Sequence, residues 1–437
     1  MNNSEFMKKI FSTIAPVAIL LVFLVLLLTI LRVSVFGSVE PEKHIYFEIV
    51  FLLLLAVAGE LAVVYLKQPS VMVLMLLGIL ISPSFLGLTL DFLHSLNLPF
   101  YLPQTPPQLL KSEEVLHVFA QLGAIILLFK VGLHNKLEGT FAFDNLIVAA
   151  SGVILPFLVG YLYATAAGGN FAYSMFMGAA LTATSVGVTV ALLKEFNLIK
   201  ERFAQIIIGA AVIDDILGLL VLSFVINVTT GDGSITPLVY TAVTAAVFLI
   251  GSVVAGDHFL KYLDRKEMSP RRFLLVLAFM LMYAYVAEFI QLSAIVGAFM
   301  AGVIINRSRH IDQIEDKTYG LELLFMPIFF ITLGMLVDVN ALVLFAVPIL
   351  VITVLAVFSK VIACGAASLW AKLNPKEALM VGVGMAPRGE VALIIASIGL
   401  TTGILTTGQY SIISAMALLT TLVAPPILMW VLQKGQK

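Results

Sequence analysis

The sequence predicts an all-α, polytopic membrane protein whose two halves repeat one another with inverted topology. Three observations lead to this fold class. Of the 437 residues, 61% are hydrophobic and only 12% are charged, whereas about a quarter of the residues of a soluble domain are charged. The apolar residues form separate runs, each long enough to cross a bilayer. Two of these runs are interrupted near their middle by glycine, proline and hydroxyl residues.

Fourteen apolar runs are predicted to be membrane helices, since roughly 20 helical residues cross a hydrocarbon core of about 30 Å. They cover residues 10–31, 47–66, 70–89, 114–134, 145–167, 171–193, 203–227, 236–256, 272–290, 292–306, 319–337, 341–368, 376–400 and 409–432. The run 70–89 contains Pro83, and 292–306 is short. Because Lys8 and Lys9 precede the first run, a signal peptide is the alternative there, although the run is long for one.

The basic residues predict the topology. Nineteen of the 25 Lys and Arg residues fall on one side of the predicted helices and three on the other, so the positive-inside rule places both termini in the cytoplasm. The remaining three, Lys130, Lys360 and Arg388, lie within predicted spans. Lys130 is expected to snorkel to the surface, and Glu322 to be solvated at a helix end. A net charge of −1 argues against a nucleic-acid partner.

The two interrupted runs are LTATSVGVTV in 171–193 and VGMAPRGEVAL in 376–400. Seven helices separate them, and an odd offset reverses the direction of crossing, which predicts two inverted halves. Lipid satisfies no backbone hydrogen bonds, so broken helices at mid-depth need protein or a water-filled cavity around them. Paired broken helices are typical of secondary transporters, with the binding site where they cross. The alternative is that the glycines only allow close helix packing.

Five charged residues lie near the middle of predicted helices: Asp214, Asp215, Lys360, Arg388 and Glu390. A charge at this depth costs roughly 2.5–3.5 kcal/mol, so the group indicates a transport function; a purely structural ion-pair network is the alternative. Adjacent residues on a helix point about 100° apart. One aspartate can therefore pair with a lysine while the other faces a cavity.

A carboxylate that binds either a proton or a cation couples the movements of the two ions, because each excludes the other. Alkali cations prefer oxygen ligands, and Thr182, Thr184 and Ser185 supply these beside Asp215, the candidate sodium ligand. The single Cys364 and the scattered histidines disfavour a transition-metal site. No nucleophile–base pair accompanies the acids, so neither a cofactor nor an enzymatic activity is expected.

The residues resemble the sodium/proton exchangers of the cation:proton antiporter-2 family from about residue 47 to the C-terminus. The resemblance lies in TATSVGVT (182–189), IDD (213–215), MPIFFITLGMLVD, VFSKVIACG and PRGEVALIIA (387–396). It implies thirteen core helices, with helix 1 as an extra, and a homodimer in the cell membrane.

The resemblance also implies a division into domains, in which a six-helix core moves as an elevator against a dimerisation domain. The predicted boundaries are 1–46 for the extra helix and outer segment, 47–134 and 272–337 for the dimerisation domain, 145–227 and 341–432 for the ion-carrying core, and 236–271 for the linker helix and loop.

For individual residues, the resemblance implies that Asp215 carries the ion, that Asp214 pairs with Lys360, and that Arg388 and Glu390 form the charged motif of the second broken helix. The aspartate pair implies electrogenic exchange of Na⁺, or Li⁺, for H⁺, as in pH homeostasis. The alternatives are a K⁺/H⁺ antiporter and, from another class, a cation channel of related fold.

Overall fold

The computed structural model describes residues 41–66, 68–96, 113–135, 139, 142–230, 236–290 and 292–433. The predicted helix at 10–31 lies outside these residues. The helices of the described part are α1 (Pro41–Leu66), α2 (Ser70–Ile81), α3 (Pro83–Ser95), α4 (Glu113–Gly132), α5 (Phe143–Ala166), α6 (Phe171–Thr182), α7 (Val186–Glu195), α8 (Arg202–Thr230), α9 (Thr236–Leu263), α10 (Pro270–Phe289), α11 (Ala294–Ile305), α12 (Ile311–Met335), α13 (Val339–Leu344), α14 (Ala346–Trp370), α15 (Pro375–Gly384), α16 (Glu390–Thr401) and α17 (Thr407–Gln433).

The described residues contain eight spans that are long and apolar enough to cross a membrane, or nine if α2 and α3 form one bent span. Shorter apolar helices, among them Ala294–Ile305, accompany them. This is the all-helical architecture of a multi-pass membrane protein, as the sequence predicts. The total of fourteen spans and the inverted repeat stay predictions.

The run 70–89, predicted to be one helix, forms two. α2 and α3 meet at a bend of 54°. Ser82 takes an extended conformation between them, and its hydroxyl accepts a hydrogen bond from the amide of Phe85. Pro83 follows as the first residue of α3; its ring disfavours helical backbone at the preceding residue, and it starts a new helix readily. The prediction of one continuous helix was therefore wrong.

Two spans are broken at mid-length, as predicted from their polar interruptions. Residues 183–185 separate α6 from α7, and residues 385–389 separate α15 from α16. Asn374 starts α15 with a reciprocal capping box to Glu377, which fixes where this half-helix begins. The unwound residues are almost all buried, so protein rather than lipid must satisfy their backbone groups.

The helix predicted at 319–337 begins earlier than expected. α12 starts at Ile311, because its first turns are polar and the apolar run marks only the later part of the helix. This extension places Glu322 near the middle of α12 rather than at an end. The prediction that Glu322 is solvated at a helix end is therefore wrong, because Glu322 is buried.

The chain divides into two compact units. In the described part of the first unit, α1 packs on α2, and the hydroxyl of Ser84 on α3 donates a hydrogen bond of 3.0 Å to the carbonyl of Val337. The second unit comprises Leu122–Met326 and Ala341–Lys437.

Within the second unit, α5 packs against α6, α8 and α14, and α14 against α15 and α17. Both broken spans belong to this group of helices, since α16 packs on α6 and α17.

Candidate ion-binding site

A buried ion pair joins α8 to α14. The Nζ of Lys360 lies 2.9 Å from Oδ1 of Asp214, and both side chains are 0% exposed. Gly152 of α5 makes room for the ammonium group, because a Cβ at this position would lie 2.9 Å from Nζ. Without water to solvate them, each charge depends on the other, and loss of one partner from such a pair typically costs about 3–5 kcal/mol.

Asp215 follows Asp214 on α8 and is also buried, with 7% of its surface exposed. Because adjacent helical residues point about 100° apart, the two carboxylates face different neighbours. Asp214 is held by Lys360, and Asp215 occupies a second, slightly more accessible position on the same helix.

The two broken spans touch at their unwound segments. The amide of Ser185 donates a hydrogen bond of 2.8 Å to the carbonyl of Pro387. A Cβ on Gly389 would lie 2.6 Å from the hydroxyl oxygen of Ser185, so the approach requires glycine there. Thr189 donates a 2.6 Å hydrogen bond to the carbonyl of Gly384. The crossing predicted from the sequence is thus present in the structure.

Two predicted cation ligands lie in this crossing with different partners. The hydroxyl of Thr182 donates to Ala179 of its own helix at 2.7 Å. The hydroxyl of Thr184 lies 3.5 Å from the carbonyl of Met385, the outer limit of a hydrogen bond. Thr184 can therefore turn its oxygen toward a ligand at small cost.

Arg388 lies fully buried in the second unwound segment. Its guanidinium donates to the carbonyl of Met385 at 3.3 Å and to that of Ala356, on α14, at 3.2 Å. Met385 is the C-terminal cap of α15, where helix carbonyls carry partial negative charge. The positive charge of Arg388 thus compensates the partial negative charge at the C-terminal end of α15. Its two hydrogen bonds also connect this end to α14, the helix that carries Lys360. Glu390 begins α16, but its side chain lies outside the described residues.

Two threonines on α17 hold the backbone of Arg388, which sequence reasoning missed. The amide of Arg388 donates to the hydroxyl of Thr420 at 3.0 Å, and the hydroxyl of Thr421 donates to the carbonyl of Arg388. Both side chains are buried. The only sequence signal is a hydroxyl pair within an apolar run, ALLTTLV.

A second buried ionic cluster contradicts the expectation that Lys130 snorkels. The ammonium of Lys130 lies 2.7 Å from Oε2 of Glu322, and Lys130 is 3% exposed. Lys194, in the last turn of α7, bonds the other carboxylate oxygen. Snorkelling was predicted because Lys130 is close to a helix end; the buried Glu322 provides a partner within the protein instead.

The family model described as "Sodium/hydrogen exchanger, transmembrane" matches residues 49–434. The chain belongs to the sodium/hydrogen exchanger family. This confirms the resemblance stated from the motifs, and it covers nearly all of the described residues.

Relatives within this family are antiporters from several organisms. The chain is 33% identical over 396 residues to the Na(+)/H(+)-K(+) antiporter GerN of Bacillus cereus, covering 89% of this chain and 96% of that protein. It is 35% identical over 345 residues to the high-affinity Na(+)/H(+) antiporter NhaS3 of Synechocystis, covering 75% and 73%.

The fold also matches a solved exchanger structure. The sodium proton antiporter MjNhaP1 of Methanocaldococcus jannaschii superposes with a TM-score of 0.64 over 90% of this chain and 98% of that one, at 17% sequence identity. The all-helical exchanger fold predicted from the sequence is confirmed, whereas the roles of the site residues stay predictions.

Proposed function

We propose that this exchanger moves Na⁺, or Li⁺, in one direction and H⁺ in the other. The observation that carries the proposal is the arrangement on α8, where the Asp214–Lys360 pair leaves a second buried carboxylate, Asp215, at a different angle. The broken spans that cross in the same compact unit supply oxygen atoms. Hard oxygen donors suit alkali cations.

In the proposed cycle, Asp215 binds either the cation or a proton, and each displaces the other. Thr184 and Ser185 supply further oxygens, and Thr182 supplies one if its hydroxyl turns from Ala179. Asp214 stays paired with Lys360 while Asp215 is occupied. Because a carboxylate with a bound cation is neutral, the loaded site crosses the low-dielectric interior at lower cost than the empty one.

Asp215→Asn tests this role in proteoliposomes that report proton flux. We expect Na⁺-dependent proton movement to be abolished, because the amide cannot exchange a proton. The matched control is Asp91→Asn, which removes an exposed carboxylate on α3 and should leave exchange unchanged. Sodium-dependent proton flux that survives in the Asp215 variant would refute the assignment.

Potassium is the second candidate cation. It is supported by the name of the Bacillus cereus relative, which includes K⁺. Parallel measurements with Na⁺, Li⁺ and K⁺ in the same proteoliposomes decide between the ions. A cation channel would conduct without an opposing proton gradient, so strict coupling of the two fluxes excludes it.

We also propose that the exchange is electrogenic: the entering cation displaces one proton from Asp215, and a second proton leaves the Asp214–Lys360 pair, which stays hydrogen-bonded. Under a voltage clamp, a net current should accompany the exchange and reverse with the combined ion and voltage gradient. Exchange without current would contradict the proposal and would fit a one-for-one stoichiometry.

The moving core is proposed to comprise 145–227 and 341–432, and the stationary dimerisation domain 47–134 and 272–337, in a homodimer. The packing of α14 on α5, α15 and α17, and of α16 on α6, supports the first group, because these helices contact each other extensively.

Both termini are proposed to be cytoplasmic. A reporter fused to the C-terminus tests this orientation, and mass measurement in detergent tests the dimer.

A further inference from the structure

The Lys130–Glu322–Lys194 cluster has no part in the cation site proposed above. It connects three helices, α4, α12 and α7. Only Lys194 belongs to a broken span. Lys130 and Glu322 belong to helices assigned to the stationary domain. The cluster therefore bridges the two parts that must slide past each other in alternating access.

Two further contacts near Lys130 join the C-terminal end of α4 to neighbouring helices. His134 Nε2 lies 3.2 Å from Oε1 of Glu315 on α12. The side-chain amide of Asn306, just after α11, donates a 2.6 Å hydrogen bond from Nδ2 to the carbonyl of Leu133. The His134–Glu315 contact joins the end of α4 to α12, the helix of Glu322, and so helps to keep the Lys130–Glu322 pair together when other contacts change.

Lys194 differs from the other two members in burial. Its side chain is 27% exposed, whereas those of Lys130 and Glu322 are 3% and 6% exposed. A lysine at the surface can return its ammonium group to water. When it does so, Glu322 keeps Lys130 as a partner, so no unpaired carboxylate is left in the interior.

We infer that the contact of Lys194 with Glu322 is a latch that holds the first broken span against α4 and α12 in one state of the transport cycle and opens in the other. Lys130 keeps the carboxylate charged and paired while the latch is open. This inference rests on the proposed alternating movement. It assigns to the cluster a conformational role that is separate from ion binding.

Reversible cross-linking tests the latch. In a Cys364→Ala background, which removes the single native cysteine, a short bis-methanethiosulfonate joins Lys194→Cys to Glu322→Cys. The matched control joins Lys130→Cys to Glu322→Cys with the same reagent. Both variants lose the same carboxylate, and only the first cross-link spans the proposed sliding boundary.

For the Lys194 cross-link, we expect a roughly tenfold loss of Na⁺-dependent proton flux, recovered on reduction, because the conformational step is blocked. The Lys130 cross-link should leave flux unchanged relative to its reduced form. Undiminished flux with the Lys194 cross-link in place would overturn the latch, and so would an equal loss in both variants.

Hydrogen exchange measured by mass spectrometry provides a readout that does not need transport. Lys194→Met should raise amide exchange in α7 by roughly threefold and leave α4 unchanged, because α7 is released while the Lys130–Glu322 pair remains. Unchanged exchange in α7 would refute the latch even if the cysteine variants are inactive. If the wild-type protein shows no cation–proton exchange, the proposed function fails, and this measurement still decides the latch.

Discussion

Two buried ionic groups in the same compact unit are built in opposite ways. Asp214 and Lys360 form a one-to-one pair between α8 and α14, and neither side chain is exposed. Around Glu322, two lysines share one carboxylate, and the side chain of one of them, Lys194, is partly exposed. Among the described residues, Asp214 and Lys360 each form one ion pair, whereas Glu322 forms two.

The number of ion-pair partners and their burial determine which of the two groups can open. Separation of the Asp214–Lys360 pair would leave two uncompensated charges in the interior, at a cost of several kcal/mol, so this pair suits a permanent element of the site. The Glu322 cluster can release Lys194 and keep a neutral pair. Burial and the number of partners, rather than the presence of an ion pair, separate a fixed contact from one that can break.

The largest predicted effect is that of Lys360→Met. It leaves Asp214 buried without its cation, so the free energy of unfolding should fall by about 3–5 kcal/mol. Thermal unfolding in detergent measures the loss as a lower midpoint. Exchange should weaken in the same variant, through loss of the folded site.

The double variant Lys360→Met, Asp214→Asn is the control for this prediction. It removes both charges, so most of the lost stability should return, since a buried pair and a neutral replacement often differ little in stability. If the double variant is as unstable as the single one, packing rather than the unpaired charge causes the loss.

Gly389→Ala should disturb the crossing itself. Its Cβ would press on Ser185, only 2.6 Å from the hydroxyl oxygen, and overpacking of this kind costs about 1–3 kcal/mol. We expect the affinity for the cation to drop, measured as a raised KM for Na⁺. Adding Ser185→Gly makes room and should restore part of the stability; no restoration would place the strain elsewhere.

Thr420→Val tests how the unwound segment is held. The valine cannot accept the hydrogen bond from the amide of Arg388, and an unsatisfied buried amide costs roughly 1–2 kcal/mol. Thr420→Ser keeps the hydroxyl and should behave like the wild type in unfolding midpoint and KM. If serine and valine act alike, the methyl group rather than the hydroxyl matters at this position.

The all-helical membrane architecture could be predicted from the sequence, because length and hydropathy set which runs can span a bilayer. The two broken helices were visible as polar interruptions, and the family motifs pointed to Asp214, Asp215 and Lys360. Pro83 marks the place of the α2–α3 bend, yet hydropathy averages over such a break, so the hydropathy pattern predicts one helix there.

Contacts between distant helices that no family motif or broken helix indicates could not be predicted. Neither the packing of Thr420 against Arg388 nor that of Glu322 against Lys130 has a sequence spacing that reveals it, since the partners lie far apart in the chain. Lys130 was assigned to the surface because a helix end usually allows snorkelling. The structure shows instead that α12 begins at Ile311, before its apolar run, and that the buried carboxylate of Glu322 within this helix pairs with Lys130.

The smallest predicted effect is that of Lys194→Met on stability. Glu322 keeps its 2.7 Å contact with Lys130, and a partly exposed ion pair contributes about 1 kcal/mol or less. The unfolding midpoint should therefore shift little, close to that of Lys200→Met, which removes an exposed lysine. A loss as large as that of Lys360→Met would show that the two ionic groups are equally fixed. In that case Lys194 could not serve as the partner that leaves, and the distinction between a permanent pair and a contact that opens would be wrong.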